Sequence, residues 1–177
     1  MEGLVREGDR ADLLTREGSL LELTAEHDRA KAAFAEAIDL AATLGDPLRG
    51  ARARIKLGGL LSNLGELDEA RERLTEGVGL AVEAKDLRAE GEARTHLGNA
   101  LAWSGKPDEA KECYERSLAL AARDDDIKAE AGAIANLAIL AWEQGDLSVA
   151  KEGFERCLET FRKTRDRRAE ATVVGLL

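Results

Sequence analysis

One phrase returns every forty residues along this chain. Gly65-Glu66-Leu67-Asp68-Glu69-Ala70, Gly105-Lys106-Pro107-Asp108-Glu109-Ala110 and Gly145-Asp146-Leu147-Ser148-Val149-Ala150 are near-copies, and a worn version stands at Ala25-Glu26-His27-Asp28-Arg29-Ala30. A fixed period of this size is the mark of a stacked-repeat solenoid, in which each unit buries its apolar face only against its neighbours. The period therefore constrains architecture and the kind of surface offered, and leaves the partner open.

Aligning the copies separates packing positions from the rest. Ala30, Ala70, Ala110 and Ala150 fall in one column, followed four residues later by Phe34, Leu74, Tyr114 and Phe154, and four later again by Ile38, Val78, Leu118 and Leu158. Steps of four keep all three on one stripe of a helix, with a small residue ahead of a bulky one so that two helices cross closely. An earlier helix in each unit aligns Leu57-Gly58, Leu97-Gly98 and Leu137-Ala138, followed by Leu61, Leu101 and Ala141; Leu14, Gly18 and Leu21 repeat the spacing in the first unit, with Glu17 where the others have leucine. Glycine is about 1 kcal/mol worse than alanine inside a helix, so its retention implies a neighbour pressing on that position.

Unit boundaries are written in capping chemistry. Asp46, Asp86, Asp126 and Asp166 recur where one unit meets the next, and Pro47 and Pro107 suit first helical turns. Gly65, Gly105 and Gly145 close the first helix of each pair. The pattern predicts helices over 4–23, 27–44, 47–64, 67–84, 87–104, 107–123, 127–144, 147–164 and 167–177. Residues 1–177 are read as one all-α, right-handed α-solenoid of antiparallel helix pairs, with units at 4–45, 46–85, 86–125 and 126–165 and a partial unit at 166–177.

Composition narrows the function classes. Lys and Arg number 26 against 35 Asp and Glu, a net charge of −9, which argues against gripping a nucleic-acid backbone. No apolar run approaches bilayer length and the N-terminus lacks a signal peptide's blocks, so a cytoplasmic protein with no membrane contact is expected. The two cysteines, Cys113 and Cys157, share no metal-ligand spacing, and Cys157 stands in a column of small residues with Ala37, Gly77 and Ser117. His27 and His96, the two histidines, fall in non-adjacent units. No catalytic, metal or cofactor constellation is expected, and the chain reads as a non-enzyme.

The frame x-x-x-Leu-Gly-x-x-Leu, a gap, then Ala-x-x-x-aromatic is clearest as Arg94-Thr95-His96-Leu97-Gly98-Asn99-Ala100-Leu101 through Ala110 to Tyr114. This resembles the tetratricopeptide repeat family, over nearly the whole chain from Leu13 to Leu177. Leu14, Arg54, Arg94 and Ile134 replace the family's usual tryptophan, its closing proline is missing, and the unit is longer than the common form. The longer type is similar to arrays in bacterial regulators, signalling ATPases and kinesin-light-chain-like adaptors. The resemblance implies a superhelix whose concave face, lined by first helices, holds a peptide or a partner's segment.

Residues of the first helices that fall off the packing stripe are the groove candidates: Arg52 and Lys56 in the second unit, Thr95, His96, Asn99 and Trp103 in the third, Asn136, Ile139 and Trp142 in the fourth. Asn99 and Asn136 can both donate to and accept from a peptide backbone. Arg52 and Lys56 are similar to residues with which some family members grip a carboxylate, although a solvated charge row is the plainer reading. Trp103 and Trp142 would form an aromatic floor or pack between helices. The expected function is protein interaction through the groove, within a larger regulatory or signalling protein. A ligand-sensing regulatory domain and a self-assembly element are the alternatives. The last segment, Glu170–Leu177, lacks a pairing helix, which suggests a piece of a longer protein or a homodimer through that helix.

Overall fold

Residues that tolerate a left-handed backbone punctuate the chain at both kinds of joint. Ala25, Gly65, Gly105 and Gly145 take φ of 60°, 81°, 73° and 84° between the two helices of a pair. Gly45, Lys85 and Asp125 do so, at 62°, 56° and 52°, between pairs. Only at the glycines is this conformation free of the Cβ penalty. Each joint turns the chain back within a few residues, and the next helix starts at once. At the joints between pairs the following aspartate caps it: Asp46, Asp86 and Asp126 accept from the backbone N–H of Arg49, Ala89 and Ala129 at 3.0, 2.8 and 3.0 Å. Asp146, inside a pair, caps α8 in the same way through Val149 N–H at 3.2 Å, a role the column at Asp46 does not announce.

The computed structural model describes residues 2–164, with side chains from 7 to 162. Its helices are α1 (Glu2–Leu23), α2 (His27–Leu44), α3 (Pro47–Asn63), α4 (Leu67–Glu83), α5 (Leu87–Trp103), α6 (Pro107–Arg123), α7 (Ile127–Glu143) and α8 (Leu147–Thr164). Among the described residues there is no strand. The expected helix over 167–177, the cap at Asp166 and any contact made by that segment lie outside the described residues.

Each helix packs on its sequence neighbours, as a stack requires. First helices also touch one another, α1 with α3, α3 with α5 and α5 with α7, whereas no comparable contact joins successive second helices among the described residues. A stack whose first-helix layer is closer-spaced than its second-helix layer curves toward the first helices. The fold is an all-α solenoid with α1, α3, α5 and α7 on its inner side.

Small-against-large packing holds each pair together. Ala30, Ala70, Ala110 and Ala150 are at most 2% exposed, and Phe34, Leu74, Tyr114 and Phe154 at most 4%. What presses on the first-helix glycines is the bulky side chain of the second helix. A Cβ on Gly18, Gly58 or Gly98 would lie 2.6 Å from Phe34 Cε1, 2.5 Å from Leu74 Cγ and 2.5 Å from Tyr114 Cε1 respectively. The fourth pair inverts the arrangement: Ala138 fills the glycine column and Gly153 makes room, since a Cβ there would meet Ala138 Cβ at 2.7 Å.

The small-residue column of the second helices adds a polar tie. Ser117 Oγ donates to Gly91 O at 3.0 Å and Cys157 Sγ to Ala131 O at 3.3 Å, equivalent carbonyls forty residues apart. Cys157 is fully buried, and burial pushes its thiol up to about 11. It is a packing residue with a weak hydrogen bond.

Candidate interaction face

Charges on the inner side are arranged as steps from one first helix to the next. Arg49 of α3 donates to Asp12 of α1 at 3.2 Å and also pairs with its own cap, Asp46, at 2.5 Å. Arg52 lies 3.7 Å from Asp86, the cap of α5, and Lys56 Nζ donates to Glu92 of α5 at 2.7 Å. Arg88 lies 3.7 Å from Asp126, the cap of α7. Arg52 and Lys56, for which the sequence offered a solvated charge row, therefore meet acids on a neighbouring helix, as Arg49 does. Pairs as exposed as these contribute about 0–1 kcal/mol each and act mainly in fixing register.

The step made by Lys56 and Glu92 has no equivalent forty residues on, where Gly132 replaces the Asp12, Arg52 and Glu92 of its column and only the Arg88–Asp126 step joins α5 to α7. A cleft of about 430 Å³ opens there, between the N-terminal halves of α5 and α7 with the C-terminal half of α6 as its floor. A Cβ on Gly132 would meet nothing within 4 Å, so the missing side chain is itself the opening. Leu87, Leu120, Ala129 and Ala133 supply apolar wall. Glu92, Asp124 and Asp126 bring three carboxylates against the cations of Arg88 and Lys128.

Of the residues singled out by sequence, Thr95 and His96 line this cleft. The Thr95 hydroxyl lies 3.0 Å from Gly91 O and 2.8 Å from Ser117 Oγ, so it ties α5 to α6. The His96 ring lies beside Gly59 of α3, where a Cβ would come within 3.6 Å of it. Burial depresses the His96 imidazole below its ordinary value; Glu92 and Glu22 pull it up, and Lys56 pushes it further down. A neutral ring at neutral pH follows.

The other candidates stand apart from the cleft. Asn99 Oδ1 accepts from Tyr114 OH at 2.8 Å, so half of its amide already serves the α5–α6 contact. Asn136 is half-buried on α7 with no side-chain hydrogen bond to a described residue, and Ile139 packs against the core of the fourth pair. Trp103 and Trp142 are 57% and 55% exposed, so neither is packed between helices. They also differ in column, Trp103 aligning with Asn63 and Glu143 and Trp142 with Ser62 and Ala102, which turns the two rings away from a common floor. Arg88, Gly91, Asp124, Lys128 and Gly132 are cleft residues that sequence reasoning missed. The break in the charge column at Gly132 is the signal that marks them.

Among the described residues no three His, Cys, Asp or Glu side chains gather as a metal would require. Nor is any described helix long and apolar enough to cross a membrane.

Residues 11–44 and 90–163 each match a family model described as tetratricopeptide repeat. No curated protein matches the sequence. Among solved structures, the chain superposes on a Rap protein complexed with Competence and Sporulation Factor with a TM-score of 0.87 at 14% identity, over 94% of this chain and 47% of that one. Aspartyl phosphate phosphatase F from Bacillus subtilis gives 0.86 at 11%, over 94% and 44%. BtubC (BKLC) from P. vanneervenii gives 0.78 at 17%, over 97% and 79%. The chain thus spans about half the length of the first two, and at these identities the likeness is one of fold. Repeated helix pairs stacked in register, with family matches falling on the first and on the last two of them, show that this chain belongs to the tetratricopeptide repeat family.

Proposed function

We propose that this chain, acting as one solenoid domain over residues 1–177, is a recognition module that holds an extended segment of a partner protein along its inner face. The cleft between α5 and α7 receives a basic side chain of that segment. The observation that carries this reading is the interruption at Gly132. Elsewhere on the inner side first-helix cations meet acids, as Arg52 meets Asp86 and Lys56 meets Glu92; beside Gly132 an amphipathic slot is left open, in which Asp124 has no ion-pair partner among the described residues. Leu87 and Ala129 suit the methylene stem of Lys or Arg, and Asp124 suits its head. The net charge of −9 attracts basic segments over longer range. A carboxylate ligand on Arg52 and Lys56 would instead have to displace Asp86 and Glu92.

Titration calorimetry against short neutral peptides carrying one Arg or Lys, and against matched peptides with Glu at that place, tests this. Only the basic peptides should bind, more weakly as salt is raised. Gly132→Arg, which puts into the cleft the cation that Arg52 brings to this column and has room for its Cβ, should lower affinity about tenfold or more, roughly 1.4 kcal/mol. Equal binding of both peptide types, or affinity untouched by Gly132→Arg, would refute the assignment.

The cleft's volume also favours a second reading, a small-ligand sensor, since such sites span roughly 300–1,000 Å³. That a Rap protein of this fold is complexed with Competence and Sporulation Factor supports a regulatory ligand on this architecture. A small-molecule screen by thermal unfolding separates the readings, because a ligand bound only by the folded chain raises the midpoint.

A further inference from the structure

Two columns of the first helices pack backward onto the preceding pair. Ala53 and Leu60 sit in one core with Phe34 and Ala37 of α2, Ala93 with Ala51, Ile55 and Ala81, and Leu140 with Leu101 and Tyr114. In the internal pairs these columns are closed: Ala53, Ala93 and Ala133 are 0–1% exposed, and Leu60, Ala100 and Leu140 are 0–4%. On α1 the same columns hold Leu13 and Leu20, which are 62% and 64% exposed, and nothing in the described chain covers them.

We infer that this face of α1 is a self-association surface that binds α1 of a second copy, antiparallel, about a two-fold axis passing between Arg16 and Glu17. The centre of the face, from Leu13 to Leu20, is its own complement under that operation. Leu13 falls opposite Leu20 of the second copy and Leu20 opposite its Leu13. Arg16 falls opposite Glu17 of the second copy, and the reverse pair forms across the axis. Leu13 and Leu20 are seven residues apart with Arg16 and Glu17 between them, the spacing of a helix-pair seam flanked by charges. Both charged residues are exposed and neither has an ion-pair partner among the described residues. An isologous contact demands this self-matching of one patch, with each group meeting its complement across the axis. Glu17 also stands where the internal pairs keep Leu57, Leu97 and Leu137, so the face departs from the apolar pattern of an internal joint. Two leucine layers make a small seam, so the dimer is weak and forms as concentration rises.

Light scattering and sedimentation of the full chain over a wide concentration range test this. The mass should climb from 19.1 kDa toward twice that value. Leu13→Glu with Leu20→Glu should hold the chain at monomer mass throughout, with helicity and thermal midpoint retained because both side chains are already exposed. Arg16→Glu alone and Glu17→Arg alone should each weaken association, and the two together should restore it. A wild-type chain that stays monomeric overturns the inference and leaves the face to a different partner. A dimer indifferent to the Leu13 and Leu20 changes overturns it as well, and places the contact elsewhere, for example in residues 166–177.

Discussion

Glycine at two positions of this chain does opposite things to stability, and the surroundings decide which. Gly98 lies under the Tyr114 ring, which an added Cβ would approach to 2.5 Å, whereas Gly79 on α4 would meet nothing within 4 Å. Alanine gains about 1 kcal/mol over glycine in a helix interior, and overpacking a tight contact costs about 1–3 kcal/mol. Gly98→Ala should therefore lower the urea midpoint and Gly79→Ala should raise it; movement in the same direction would show that propensity alone governs both. The packing columns were legible in the sequence for this reason, since a residue squeezed between helices has few substitutes and repeats visibly. Gly132 was passed over because its signal in the sequence is an absence, a glycine in the column that holds Asp12, Arg52 and Glu92. Asn99 and Thr95 were picked out as polar and off the packing stripe, but Tyr114 and Ser117, which bind them from α6, come from a helix read as core.

At the scale of helices, the caps set where each begins. Asp126 accepts from Ala129 N–H at 3.0 Å and faces Arg88 at 3.7 Å, so Asp126→Ala removes both the cap and the step between α5 and α7. A lost cap costs about 1 kcal/mol, and the exposed ion pair adds little. Chemical denaturation should show a loss near that size, while Asp126→Asn, which can still cap, should lose much less; equal losses would mean the ion pair dominates. Element boundaries were readable to within one or two residues from 24 to 164, since αL residues and aspartates recur at fixed offsets. α1 is already helical at Glu2, the first described residue, where the pattern gives 4.

Seen whole, the molecule is a row of pairs in which each touches only the next. Leu74 is fully buried in the core that joins α2, α3 and α4, and Leu74→Ala removes a contact worth about 2–5 kcal/mol. Hydrogen exchange should show α2–α5 losing protection while α7 and α8, whose core is separate, keep most of theirs. Uniform loss across all eight described helices would mean the stack melts as one body. The curvature toward the first helices was expected from the family resemblance, and the contacts between alternate helices supply the physical cause.

The uniform joints carry a consequence for how such a protein changes length. Lys85 leads into Asp86 as Asp125 leads into Asp126, both through a left-handed residue and a capping aspartate. Excising residues 86–125 would place Lys85 directly before Asp126 and regenerate the same turn, with every column still in phase. Gain or loss of a whole period is thus a single genetic event that needs no repair at the seam, and a family built this way can vary the span of its inner curve without redesigning its interior.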